Sequence, residues 1–385
     1  MLWRPYSKQP TFACAQLFRV DCNDIAAQSN SYLLPYPKTK MIDNETIYTN
    51  SGLEIGHASM QGYRKTMEDN HIIETFDSLA DHTLVAILDG HAGSGASMHI
   101  SCRLLQVIEE TSHWKLYCTL DDADKGNEKG LDAISQALIQ GYIDIDEELR
   151  QSDFMDNSGS TAVCAIISPT HIICASVGDS RCVIGTDPAV AVTMSEDHKP
   201  SLPDEEKRVI AAGGFVKFDR INGELAMSRA LGDFQYKNKA LAVSEQIITC
   251  IPDIAIHQRS NKDKLVVLAC DGVWDVMSNS EAISYLMEII PTVPSNDTNS
   301  NNSNNNSSNN SNSVDNSEES ALGLAESLIK LALNMESTDN LSAIVVKLQS
   351  KSNRPRSRSN SLTIEKAADE TIEVTEPVSN KKQKV

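Results

Sequence analysis

The run Leu84-Val85-Ala86-Ile87-Leu88-Asp89-Gly90-His91-Ala92-Gly93 decides how this chain is read. Five apolar residues in a row predict a strand buried on both faces, and the carboxylate that follows stands at the end of the sheet. Gly90 lets its own backbone carbonyl approach a ligand closely. The same construction returns at Leu265-Val266-Val267-Leu268-Ala269-Cys270-Asp271-Gly272. A strand-ending Asx turn explains either one alone; two together point to a shared site.

Two more acidic motifs flank these: Arg64-Lys65-Thr66-Met67-Glu68-Asp69 and Thr338-Asp339-Asn340. Taken singly, the first reads as a surface salt bridge and the second as a cap before a strand. Carboxylates gathered at one point do not stay ionised together without compensating charge. Hard divalent cations supply that charge and prefer oxygen ligands. The set therefore predicts a metal-dependent hydrolase.

Working outward, strands are expected over 55–59, 70–76, 161–167, 171–177, 181–184 and 342–348, with a hairpin at Ser168-Pro169-Thr170. Helices are expected over 96–111, 131–151, 281–290 and 320–333. A further helix begins at Pro203 and stops at Gly213-Gly214. In the second helix Ile134, Leu138, Tyr142, Ile145 and Leu149 recur at helical spacing. Residues 121–129 read as a loop. Residues 1–50, with Pro5, Pro10, Pro35 and Pro37, read as a mostly irregular N-terminal extension, and Met41 is a possible internal start. The catalytic domain is set at 51–350. Within it, 295–317 is almost entirely Asn and Ser, a disordered insertion because it has nothing to bury. Residues 351–385 form a disordered tail.

The chain has 385 residues and a net charge of −19. The tail carries eight Lys/Arg against five Asp/Glu, leaving −22 on the rest. Such a body does not bind nucleic acid through its general field and repels anionic substrates unless a metal or a local cation intervenes. The nine cysteines include no C-x-x-C pair and sit mostly in apolar runs, as small buried hydrophobes of a reducing compartment. No stretch approaches the ~18 apolar residues of a membrane span. The first 20 residues hold Arg4, Lys8 and Arg19 and no acid, a transit-peptide composition, but lack the apolar core of a secretion signal.

Taken in order, these motifs resemble the metal-dependent Ser/Thr protein phosphatases, the PPM or type 2C family. The resemblance runs from about Leu53 to Leu348. Besides the four acidic motifs it includes Ser158–Ala162 (SGSTA), Gly178–Arg181 (GDSR), Asp197–Pro200 (DHKP), Ala212–Gly214 (AGG) and Ser228–Asp233 (SRALGD). It implies an α+β fold, an α-β-β-α sandwich of two antiparallel sheets flanked by helices, with a two-metal centre in a cleft at one end. It implies that Asp89 bridges two Mg2+ or Mn2+ ions and that the Gly90 carbonyl binds one. Asp271 and Asp339 complete the second site, with Glu68 and Asp69 holding metal-bound waters. Asp179 and Asp275 match positions that take a third, weaker ion. Arg64 matches the residue that grips the substrate phosphate, as a guanidinium fork suits, and His91 the general acid that protonates the leaving oxygen. The implied reaction is hydrolysis of phosphoserine and phosphothreonine in proteins by direct attack of a metal-bound water or hydroxide. Two ions ~3.5–4 Å apart clamp the attacking and leaving oxygens of such a displacement.

His57, His71, His171 and His198 read as structural, Thr161 as a strand-start residue and not a nucleophile, and Trp274 as packing behind the site. Leu88 departs from the family's usual aromatic, Thr338 from a common Arg, and 233–250, the expected flap beside the cleft, is the least typical stretch. A binding module without turnover and an esterase for small phosphate esters are the rival functions. The expected partners are phosphorylated proteins, with no nucleic acid and no membrane, and the chain is expected to be a monomer in cytoplasm, nucleus or both. Arg354–Ser361 resembles a basophilic kinase substrate and Lys381–Lys384 a short nuclear-import signal.

Overall fold

A computed structural model describes residues 33–152, 157–290, 319–348 and 363–365. Strands β1 (Leu33–Tyr48), β2 (Glu54–Arg64), β3 (Asn70–Thr75), β4 (Thr83–Leu88) and the two-residue β5 (Gly90–His91) come first. Helices α1 (Gly95–Glu110), α2 (Ser112–Thr119), α3 (Asp122–Lys125) and α4 (Glu128–Gln151) follow. Then come β6 (Gly159–Ser160), β7 (Ala162–Ile167), β8 (His171–Val177), β9 (Arg181–Thr186), β10 (Val190–Thr193) and helix α5 (Pro203–Ala211). Short strands β11 (Val216–Lys217), β12 (Arg220–Ile221) and β13 (Leu231–Gly232) precede β14 (Asp253–Gln258) and β15 (Asp263–Ala269). Helices α6 (Asp271–Trp274), α7 (Asn279–Ile289) and α8 (Ala321–Asn334), then β16 (Leu341–Lys347) and β17 (Thr363–Glu365), complete the described elements.

Two antiparallel sheets lie face to face, in the orders β10-β9-β15-β16-β2-β1-β17 and β14-β8-β7-β4-β3. Alternation along each strand explains the continuous apolar runs. In β4, Val85 and Ile87 point into the core between the sheets, while Leu84, Ala86 and Leu88 pack under α1, α2 and α4. In β15, Val266 and Leu268 enter the inter-sheet core, while Leu265, Val267 and Ala269 meet α7 and α8. Both faces of these central strands are covered, so the apolar runs of β4 and β15 do not alternate with polar residues. The result is the expected α-β-β-α sandwich of an α+β fold. On α4 the five apolar residues picked out by spacing are all buried against the second sheet. A smaller cluster of Val209, Ile221, Ala230, Tyr236 and Ile248 folds α5 and the stretch after it into a unit beside the sandwich.

Three expectations change. Residues 33–48, placed in an irregular extension, form strand β1, which pairs with β2 through repeated register shifts. Half of the strand's residues are exposed and only one is buried; it takes its order from the β2 edge, so it has no apolar period to read. Residues 121–129 are not a plain loop. Asp121 caps α3, and Asn127 Oδ1 accepts from Gly130 N (3.3 Å) to start α4 early. Within the tail, Thr363–Glu365 pairs with Thr46–Tyr48, because the outer edge of β1 offers unpaired backbone groups to a β-prone Thr-Ile segment. The 295–317 insertion and the Arg354–Ser361 and Lys381–Lys384 motifs lie outside the described residues.

Candidate active site

Strand register brings the acidic motifs to one end of the sandwich. Leu88 pairs with Asn70, which sets Asp89 beside Asp69. Ala269 pairs with Ala343, which sets Asp271 beside the start of β16 and Asp339. Leu341 pairs with Met60, and β2 runs on to Arg64. Asp179 sits in the turn where the chain passes from β8 in one sheet to β9 in the other.

A carboxylate oxygen of Asp69, one of Asp89 and the Cys270 sulfur lie within 4.8 Å of one another. Burial first, then the charges of Asp271, Asp69, Asp179 and Asp339, push the Asp89 carboxyl well above its ordinary range. Asp271 is pushed the same way by burial and by Asp179, Asp339 and Asp275. Burial also raises Asp69, to about 6; a hydrogen bond from Ser342 Oγ (2.7 Å) opposes the rise and Asp339 adds to it. This is a site short of positive charge. Burial drives the Cys270 thiol well above its usual value, so it stays protonated and the ionisable donors are oxygens. That donor set fits hard divalent cations.

The surrounding backbone is built around these groups. A Cβ on Gly90 would lie 2.4 Å from the Glu68 carbonyl oxygen and 2.7 Å from Ser97 Oγ, so only glycine passes here. Glu68 accepts from Gly93 N (3.1 Å) and from Thr66 Oγ1 (2.7 Å), tying its carboxylate to the turn after Gly90. Arg64 donates to Asp339. Burial disfavours the Arg64 charge, but Asp339, Asp271 and Asp89 outweigh it, and its pKa is raised. Asp179 is buried and accepts from Lys199 Nζ (2.6 Å), while Asp275 closes α6 and is exposed. His91 Nε2 lies 2.7 Å from Asp233 Oδ2.

Thr161 is fully buried, with its hydroxyl 3.2 Å from Asp89 N and 2.8 Å from Ser180 Oγ. It supports the β4 end, its hydroxyl accepting from Asp89 N and hydrogen-bonded to Ser180. Trp274 is buried and donates to Ala269 O (2.8 Å). His198 is buried between Gly178 and Asp253, and His57 stacks on His71 with centroids 3.4 Å apart. Leu88 is buried among the helix-facing residues and Thr338 is exposed.

Two residues gain roles that motif reading did not assign. Asn340 donates to Gln61 O (2.8 Å) and Thr66 O (2.9 Å) and accepts from Glu68 N (3.0 Å). It thus fixes the Arg64–Asp69 loop to the start of β16. Lys237, in the expected flap, is buried against Asp146 of α4 (2.6 Å) and Ala230 O (3.0 Å). Their positions inside or next to the quoted motifs were the available signal.

The family model for protein phosphatase 2C matches residues 53–341, and the chain belongs to that family. Protein phosphatase ppm-1.A of Caenorhabditis elegans is 35% identical over 274 residues, covering 69% of this chain and 58% of the relative. Protein phosphatase 1B of Rattus norvegicus is 40% identical over 243 residues, covering 61% of each. The chain thus spans about three-fifths of the length of these relatives. Among solved structures, a phosphatase from a pathogenic strain of Toxoplasma gondii matches 84% of this chain and 99% of its own, with a TM-score of 0.63 at 20% identity. That likeness supports the fold.

Proposed function

We propose that this chain is a protein phosphatase that hydrolyses phosphoserine and phosphothreonine in proteins, using Mg2+ or Mn2+ held by the carboxylates at the end of the sandwich. The observation that carries this reading is the convergence of Asp69, Asp89 and Asp271, whose carboxyls are held above their usual range by burial and mutual repulsion. Asp89, the Gly90 carbonyl, Asp271 and Asp339 would hold a pair of ions, with Glu68 and Asp69 beside them and Asp179 and Asp275 available to a third. Bound there, the ions would balance the carboxylates and acidify a water for in-line attack on phosphorus.

The other steps belong to side chains. Arg64, half exposed at the rim, turns its guanidinium to the substrate phosphate and offsets the repulsion of an acidic protein. His91 supplies the proton that the serine or threonine oxygen needs as it leaves. Thr161 is engaged with Asp89 N and Ser180, and direct attack by water needs no covalent intermediate on it.

The test is phosphate release from phosphoserine and phosphothreonine peptides with added Mn2+ or Mg2+, with chelator, and from the Asp271→Ala variant. Turnover is expected with the ions and near-complete loss in the other two. Full turnover in chelator would sink the proposal. Faster turnover of free phosphate esters than of phosphopeptides would favour a small-ester esterase.

A further inference from the structure

Asp233 closes the Ser228–Asp233 motif, and none of the proposed metal positions uses it. Its side chain is 2% exposed, and its carboxylate makes no ion pair with a lysine or arginine among the described residues. A buried carboxylate without a lysine or arginine is costly, and the one side chain hydrogen-bonded to it among the described residues is His91. The backbone of Asp233 has φ +51°, in the left-handed region that aspartate tolerates better than most residues. Here Asp233 N donates to Ser158 O (3.3 Å), and the preceding Gly232 N donates to Asp146 Oδ1 (2.8 Å). Asp146 is in turn held by buried Lys237.

The local sheet sets the distance. Strands β13, β6 and β5 place Gly232, Gly159 and His91 side by side. A Cβ on Gly159 would lie 2.3 Å from Asp233 Oδ2 and 2.4 Å from His91 Nε2. The glycine leaves the gap through which the ring and the carboxylate meet at 2.7 Å. The other ring nitrogen, Nδ1, is buried and has no hydrogen-bond partner among the described residues. It thus has no competing hydrogen bond, and it reaches a substrate oxygen only when its cover opens or a water enters beside it.

We propose that Asp233 is the positioning residue of His91. It keeps a proton on Nε2 and fixes the ring, so that Nδ1 is the nitrogen that delivers a proton to the departing oxygen, directly or through one water. This rests on the phosphatase reading above. In the step, the bond between phosphorus and the seryl or threonyl oxygen breaks and its electron pair stays on that oxygen. The oxygen takes the Nδ1 proton, and the ring is left neutral, its remaining proton on Nε2 and hydrogen-bonded to Asp233. The attacking water supplies the oxygen that phosphate gains, and the proton it sheds restores His91 through solvent.

The test compares two substrates with Mn2+ present: a phosphoserine peptide, whose leaving oxygen needs a proton, and p-nitrophenyl phosphate, whose leaving group departs without one. In Asp233→Asn, kcat for the peptide is expected to fall roughly tenfold to a hundredfold, part of the ~10²–10⁴ that general-acid catalysis supplies. KM should stay within about twofold, and p-nitrophenyl phosphate turnover should fall no more than about threefold, because that barrier lacks the proton-transfer contribution. His91→Gln should show the same selectivity, and the double variant should be no slower than His91→Gln alone. If Asp233→Asn does not fold, Gly159→Ala should give the same selective loss by separating the pair. Equal losses on both substrates, or multiplied losses in the double variant, would overturn the positioning role and leave the phosphatase reading intact. A wild-type protein inert towards both substrates would overturn both.

Discussion

The guanidinium of Arg64, at the end of β2, lies against the carboxylate of Asp339, just before β16. One residue is proposed to bind phosphate and the other to bind a cation. Without ions they neutralise each other. An ion held by the Asp339 carboxylate would free Arg64 for the substrate, so cation and phosphate binding should reinforce each other. Arg64→Ala should lower kcat/KM for a phosphopeptide roughly ten- to a hundredfold, the loss of about 1.5–3 kcal/mol from a charged hydrogen bond. Most of it should appear in KM, and steady-state kinetics at saturating Mn2+ would show it. A variant with unchanged KM would remove Arg64 from phosphate binding.

Ion binding should release protons. Asp89 and Asp271, raised well above their usual range, favour their protonated forms in the ion-free fold, and Asp69, raised to about 6, joins them as pH falls through that value, so a cation must displace those protons. Mn2+ affinity should therefore weaken as pH falls through about 6. Calorimetry in two buffers of different ionisation enthalpy would report the proton release, and identical apparent enthalpies would contradict it.

The same groups set the stability of the ion-free protein. A carboxyl whose folded pKa is raised binds its proton more tightly in the folded state, so stability falls as pH rises from about 4 through the folded value. With chelator, the melting temperature should be lower at pH 7.5 than at pH 5, and Mn2+ should close the difference. A higher melting temperature at pH 7.5 in chelator would refute this.

Glu205 behaves in the opposite sense. Burial alone would raise it, but hydrogen bonds from Arg229 and Ser228 and the charge of Arg208 bring it down to about 2. Its contribution is complete above the usual carboxylate value of 4.5 and is lost as pH falls from there through about 2. Glu205→Gln takes the carboxylate partner from Arg208 and leaves Arg229 with Asp253 alone, and should cost roughly 3 kcal/mol in urea unfolding at neutral pH. A cost under about 1 kcal/mol, the value of a surface pair, would mean the cluster is solvated.

Gly62 and Gly272 clamp the Asp339–Asn340 turn. Gly62 has φ +62°, and a Cβ there would lie 2.2 Å from Asp339 O; one on Gly272 would lie 2.0 Å from Asn340 O. Backbone cannot swing aside as a side-chain tip can. Gly272→Ala should destabilise the protein by at least roughly 1–3 kcal/mol and weaken Mn2+ binding, read by thermal melts and titration. Wild-type values for both would show that the turn moves freely.

The central strands and the carboxylates at their ends were legible because β4 and β15 are buried on both faces and terminate in Asp-Gly. Strand β1 was not, because its order comes from hydrogen bonding to β2 and little of it is buried. Helix α2 was missed because Thr111, read as the end of one helix, caps the next by accepting from Trp114 N (3.1 Å). The His91–Asp233 contact joins residues 142 positions apart through two-residue strands, too short to leave a period. Asp233 could be seen as part of a motif, but its partner could not.

The most direct measurement is an anomalous-scattering map from crystals grown with Mn2+. Manganese peaks should appear in contact with the Asp89 carboxylate and the Gly90 carbonyl, and with Asp271 and Asp339. Peaks only elsewhere, in crystals of protein that turns over phosphoserine peptide at the same Mn2+ concentration, would contradict the account.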